Sequence, residues 1–275
     1  MCPALALGIA ATGAPAALPA RSASTRHVLG YSVDHRPIVA RLLAPGNARK
    51  TVLVVGSIAG DEPGGIAVAR AMAKQAAIAG VRLWLLPDAN PDGTARGTRG
   101  NAHGVDLNRN FPYRWRHLGG PGSRYYSGPR PSSEPESRAI EAFIRRTRPG
   151  LTVWLHQPYA LIDDSQGPRW AERQLARALD LPLERLPDYP GSAIGWDDHL
   201  VPASAFDVEL PGGLLNNATV RRIATAIRAL ARRFATGVSR NGPNRSRTLR
   251  PSVRDPASHA ISRRHPGRFV GRISK

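Results

Sequence analysis

Residues 52–79, VLVVGSIAGDEPGGIAVARAMAKQAAIA, hold a strand, a turn and a helix in succession. The apolar run 52–59 reads as a strand buried on both faces, the pattern of a parallel sheet. Gly60-Asp61-Glu62 interrupts it, and Pro63 falls in the first turn of a helix reaching 79, where its missing N–H is tolerated. Similar apolar runs at 38–44, 81–87 and 151–156 read as further strands. Ser133-Glu134-Pro135-Glu136 is a capping-box arrangement opening an amphipathic helix to Thr147. Residues 214–235 form a long final helix with Ile223, Ile227, Leu230 and Phe234 on one face. Strands alternating with helices predict an α/β fold: a doubly wound, mixed and mostly parallel sheet flanked by helices.

Working outward, 275 residues can bury a substantial core without covalent staples. Cys2 is the only cysteine, which excludes an intrachain disulfide framework and any metal site built on thiolates. The net charge of +19, from 39 basic and 20 acidic residues, would suit an anionic polymer, but it is unevenly placed. Residues 240–275 hold ten basic residues and one acidic, and residues 1–50 hold six and one, so the middle is close to balance. The basic residues lack interleaved aromatics and any nucleic-acid motif, so nucleic acid is not the expected partner.

Three regions follow. Residues 1–27 are a leader, either signal-like or disordered: the stretch is Ala/Pro-rich and ends in small residues, but lacks the basic start of a secretory signal. This tilts the expected location towards export or the cell envelope, with the cytoplasm as the alternative. Residues 28–236 form the folded domain, and 237–275, aperiodic and rich in Arg, Ser and Pro, a basic disordered tail. No run reaches the roughly 18–20 apolar residues that span a bilayer.

In doubly wound sheets ligands bind beyond the carboxyl ends of the strands, and four polar clusters fall there. They are Gly56-Ser57-Ile58-Ala59-Gly60-Asp61-Glu62-Pro63; Asn90-Pro91-Asp92-Gly93 with Arg96, Arg99 and Gly104-Val105-Asp106-Leu107-Asn108-Arg109-Asn110-Phe111; Trp154-Leu155-His156-Gln157-Pro158; and Phe206-Asp207-Val208-Glu209-Leu210-Pro211. Singly, each has a structural reading. Glu62 suits a helix N-terminus, His156 a buried strand end, Asn-Pro-Asp-Gly a turn, Glu209 the outward position of a strand, and Asn108-Arg109 a solvated loop. Together, in this order, they mark one site.

The ordered set, with Gly30-Tyr31-Ser32-Val33, Arg36-Pro37-Ile38 and Ser133-Glu134-Pro135-Glu136, resembles the zinc carboxypeptidase superfamily over about residues 28–235. Within it the resemblance is closest to the bacterial murein peptide amidase branch. It implies one zinc ion held by Glu62, by His156 and by a histidine three residues before Glu62, with an open position for water. By the same resemblance Glu209 is the general base, Asn108 and Arg109 grip the substrate's terminal carboxylate, and Arg96 or Arg99 stabilises the oxyanion. The implied substrate is a peptidoglycan-derived peptide, cleaved at the γ-D-glutamyl–diaminopimelate bond. Trp196 and Tyr159 are candidates for shaping the pocket.

One residue departs from the pattern where it matters most. The position of the third ligand is Ala59, whose methyl group coordinates nothing, so zinc binding is expected to be weakened or lost. Asp61, His103, His117 and His199 are the nearest conceivable replacements, and spacing selects none of them. A second departure, His35 before Arg36-Pro37-Ile38, lies in a strand connection. The expectation is therefore an amidase scaffold with impaired hydrolysis; the alternatives are a peptide-binding pseudoenzyme or another zinc carboxypeptidase.

Overall fold

The computed structural model describes residues 24–164 and 167–237. Most of the segment read as a leader and nearly all of that read as a tail lie outside the described residues. Three residues of the leader, Thr25 to His27, already belong to the first strand.

The strands are β1 (Thr25–Tyr31), β2 (Pro37–Leu43), β3 (Lys50–Ser57), β4 (Val81–Asp88), β5 (Leu151–His156), β6 (Tyr159–Asp163), β7 (Leu183–Glu184) and β8 (Ala205–Pro211). They form one sheet in the order β1-β2-β4-β3-β5-β8-β6-β7. Its centre, β4-β3-β5-β8, is parallel, while β1 with β2, β2 with β4, and β6 with β8 pair antiparallel. The helices are α1 (Gly64–Ala73), α2 (Pro91–Arg96), α3 (Pro135–Thr147), α4 (Arg169–Leu179), α5 (Ala193–Leu200) and α6 (Asn217–Ala235). The mixed, mostly parallel sheet flanked by helices is the fold that the alternating pattern predicts.

Side chains alternate along each strand and so feed two separate cores. Val54, Val153, Leu155, Phe206 and Val208 pack under α1, α4 and α6, while Leu53, Val55, Trp154 and Ala205 face α3 and α5. Since Trp154 and Ala205 lie on the α3–α5 side, the same alternation puts His156, Asp207 and Glu209 on that side at the strand ends. His156 stands directly opposite Glu209 across the β5–β8 ladder.

Helix boundaries depart from the sequence reading for local reasons. Helix α1 ends at Ala73 rather than 79; Ile78 remains buried while its carbonyl accepts the Val81 N–H in a turn back to β4. The capping box does not form at α3. Ser133 Oγ donates to Glu134 instead, and Glu136 accepts from Val33 N and Asn101 Nδ2, tying the helix to distant loops. Helix α6 begins at Asn217, capped by Asn216, whose side chain accepts from Thr219 N.

The turn after β3 is held by close backbone approach. Gly60 N donates to Arg99 O, and a Cβ at Gly60 would lie 2.1 Å from the Gly93 carbonyl carbon. Gly60→Ala should lower stability by about 1–3 kcal/mol in equilibrium urea unfolding. Gly46→Ala, where nothing lies within 4 Å, should be neutral or slightly stabilising; equal effects at the two glycines would contradict this account of the turn.

Candidate functional site

The carboxyl ends of β3, β5 and β8 and the loop around Asn108 converge on one pocket. Glu62, Arg99, Asn108, Arg109, His156 and Glu209 all line it. Glu62 follows β3 through a tight turn in which its N–H donates to Ala59 O. That turn sets residue 59 beside Glu62, and Ala59 is fully buried there.

Glu62 is the hub. Its Oε2 lies 2.9 Å from His156 Nδ1 and accepts from Gln157 N, while Oε1 accepts from Arg99 Nη1 at 2.7 Å. Arg99 is fixed from behind by Asp106, which accepts from its Nε at 2.8 Å. Burial alone would raise the pKa of Glu62, but the hydrogen bond and charge of His156, together with the charge of Arg99, outweigh it and hold the carboxyl below its ordinary range. Burial would correspondingly lower His156, yet the charges of Asp207, Glu62 and Glu209 and the bond to Glu62 raise it to about 9. One contact opposes this. Asn108 Oδ1 accepts from Ala193 N, so its amide N–H faces His156 Nε2 at 3.4 Å, an arrangement that favours the neutral ring. The carboxylates outweigh that single longer contact.

Arg109 is buried, donates to its neighbour's carbonyl at Asn108, and lies with its guanidinium carbon 4.1 Å from the centre of the Tyr189 ring. Among the described residues no carboxylate forms an ion pair with it. Burial lowers its pKa, the expected direction for a cation short of a partner. Glu209 accepts a long contact from Tyr159 N, and burial raises its pKa.

The two arginines left open by the sequence are separated in space. Arg99 lies inside the pocket on Glu62, whereas Arg96 is outside it, pairing with Asp34 and donating to Ala102 O. None of the replacement ligands reaches the pocket. Asp61 turns to Arg124, His103 to Glu134, His117 packs edge-on to Trp115 and Tyr126, and His199 stacks on Tyr113. Tyr159 lines the pocket, but Trp196 does not; it is buried against Phe111. Sequence reasoning singled out neither Tyr125 nor Tyr189, which flank Arg109, and treated Gln157 only as part of a motif. Gln157 is the fastener of the site: Oε1 accepts from Gly64 N at the head of α1, and Nε2 donates to Pro211 O at the end of β8 and to Gly213 O just beyond it.

Comparison with known proteins fits this geometry. Residues 19–163 match the zinc carboxypeptidase family, and the chain belongs to that family. The curated relatives include murein peptide amidases. The chain is 34% identical over 168 residues to murein peptide amidase A of Escherichia coli strain K12, covering 56% of this chain and 68% of that protein. It is 31% identical over 176 residues to the murein peptide amidase A of Vibrio campbellii, covering 58% and 68%. Among solved structures, murein-tripeptide amidase from Escherichia coli O157 superposes with a TM-score of 0.64 at 28% identity, over 78% of this chain and 93% of that one. Carboxypeptidase A from Helicoverpa armigera gives 0.69 at 20% identity, over 80% and 70%, a likeness of fold.

The family implies zinc, and the donors present do not fit it. Three protein ligands, with a fourth position left open, are the usual minimum for such an ion. Among the described residues no group of three His, Cys, Asp or Glu side chains is placed to hold a metal. The two donors that remain, Glu62 and His156, are instead paired with each other, and Arg99 occupies the second oxygen of Glu62.

This pairing predicts a pH dependence for the metal-free protein. A histidine raised from its ordinary ~6.5 to about 9 adds stability that is complete below about pH 6.5 and is lost as pH rises through about 9. Melting temperature in the presence of chelator should fall across that window, and His156→Gln should flatten the fall. An unchanged slope in the variant would contradict the ion pair.

Proposed function

We propose that this chain binds peptidoglycan-derived peptides ending in a free carboxylate, on the scaffold of a zinc-dependent amidase. Its hydrolysis of the γ-D-glutamyl–diaminopimelate bond is impaired because Ala59 stands where the family resemblance asks for a ligand histidine. The observation that carries the reading is Arg109, a buried guanidinium in the pocket with no carboxylate partner among the described residues. Leaving such a group unpaired is costly, and a carboxylate is the ligand whose two oxygens match its planar fork. Asn108 is held beside it by the bond from Ala193 N, and the tyrosine faces leave the guanidinium edge for a ligand. The names of the murein peptide amidases among the relatives, at about one-third identity, support the choice of peptide.

Calorimetric titration with L-alanyl-γ-D-glutamyl-meso-diaminopimelate tests the binding half. Arg109→Ala should weaken the peptide roughly ten- to a hundredfold, since hydrogen bonds to charged groups contribute about 1.5–3 kcal/mol. Amidating the peptide's terminal carboxylate should weaken it comparably. The catalytic half is tested by Ala59→His: bound zinc should rise towards one per chain, and hydrolysis of the same peptide should appear or increase. Unchanged affinity in Arg109→Ala would remove the binding assignment, and a zinc-loaded Ala59→His variant without hydrolysis would remove the catalytic one.

A further inference from the structure

Most of the excess positive charge plays no part in the pocket, and the fold gathers a share of it on one face. Helices α1, α4 and α6 cover the same side of the sheet, and α6 packs against both of the others. Helix α6 turns Val220, Ile223, Ile227 and Leu230 into the core and leaves Arg221, Arg222, Arg232 and Arg233 exposed on its outer side. Helix α4 exposes Arg173 and Arg177, one turn apart, and α1 exposes Arg70. No acidic residue is exposed on any of the three helices; Glu172, the only one they contain, is buried. On the other side of the sheet the charges are mixed, with Glu141 set among Arg138 and Arg145 on α3.

Like charges one turn apart destabilise a helix, so Arg173 and Arg177 do nothing for α4 by themselves. Among the described residues neither they nor Arg70, Arg221, Arg222 and Arg232 form an ion pair with a carboxylate. Two α6 arginines reach across to α4: Arg222 donates to Ala178 O, and Arg233 donates to Gln174 Oε1 and lies over the Trp170 ring. Trp170, Arg173, Gln174, Arg177 and Arg233 thereby line a shallow groove between the two helices, wide of the peptide pocket.

We propose that the outer face of α1, α4 and α6 docks the protein on an anionic phospholipid bilayer, through charge and without insertion. The cations are spread over three adjacent helices, so a planar array of phosphates meets them all, whereas a linear polymer meets a single row. Clusters of basic residues on an amphipathic helix bind such surfaces, each adding a modest increment. The groove accepts a headgroup phosphate between Arg173, Arg177 and Arg233. The other occupants fit less well. A second copy would bring like charge against like, and stacked bases would find no open ring, because Trp170 already lies between Phe234 and Arg233. Insertion is excluded by what the helices expose: none of the exposed large apolar side chains lies on α1, α4 or α6, and among the described residues no helix is long and apolar enough to cross a membrane.

Vesicle co-sedimentation of the full chain tests the proposal. The chain should bind phosphatidylcholine vesicles that contain about 30% phosphatidylglycerol, ignore pure phosphatidylcholine, and be released as salt rises from about 50 to about 500 mM. Arg173→Glu with Arg177→Glu, folding being checked by circular dichroism, should weaken binding at least about tenfold. Arg145→Glu with Arg146→Glu on α3 makes the same change in net charge and should leave binding within about threefold. Should the α4 glutamate pair not fold, Arg173→Gln with Arg177→Gln takes its place, with a loss of about fivefold expected. Failure of the unmodified chain to bind the anionic vesicles overturns the docking surface whatever the variants do. A loss in the α4 pair no larger than in the α3 pair puts the attachment elsewhere in the chain and overturns it as well. Tighter binding to duplex DNA than to the vesicles at matched phosphate concentration assigns the face to nucleic acid and overturns the lipid partner.

Discussion

The pairing of Glu62 with His156 joins the ends of two neighbouring parallel strands, and the rest of the site is arranged around it. Glu62 arrives by the turn after β3 and His156 is the last residue of β5, so the 2.9 Å contact closes the gap between two loops that the sheet leaves open. Arg99 and Gln157 attach to the same carboxylate from the loop before Asn108 and from the backbone after β5. Gln157 then extends the connection to the start of α1 and the end of β8. A buried carboxylate with this many donors is well satisfied, and removing one of its partners would leave uncompensated charge behind.

That satisfaction also defines what the site can do. Both oxygens of Glu62 are occupied within the protein, and Ala59 offers no third donor, so the arrangement holds itself together without an ion. Recognition, by contrast, is left open. Among the described residues, Arg109 lies between aromatic rings with no carboxylate on it, and Asp207 Oδ1 has no donor. An unpaired guanidinium in such a pocket is what a ligand's carboxylate would complete.

Much of this was legible in the sequence because the informative residues sit at strand ends. The buried central strands announced themselves as unbroken apolar runs, and β5 coincides with its reading from Leu151 to His156. Glu62, His156 and Glu209 were legible as neighbours because a parallel sheet delivers its strand ends to one edge, and Asn108 and Arg109 were legible through the family resemblance. The choice between Arg96 and Arg99 could not be made, since Arg96 ends α2 and Arg99 follows three residues later, and only the path of the chain there turns one towards Asp34 and the other towards Glu62. The capping box at Ser133 failed because Glu136 found partners on loops remote in sequence, which no local pattern encodes. The tyrosines around Arg109 were invisible for the same reason: they depend on how remote loops pack.

The proposed peptide recognition rests on the protein's own charged side chains and needs no metal. Calorimetric affinity for L-alanyl-γ-D-glutamyl-meso-diaminopimelate, measured on the unmodified chain with excess chelator and again with added zinc, tests it most directly. The account predicts the same dissociation constant, within about twofold, under both conditions. Binding that vanishes with chelator and returns with zinc would contradict it.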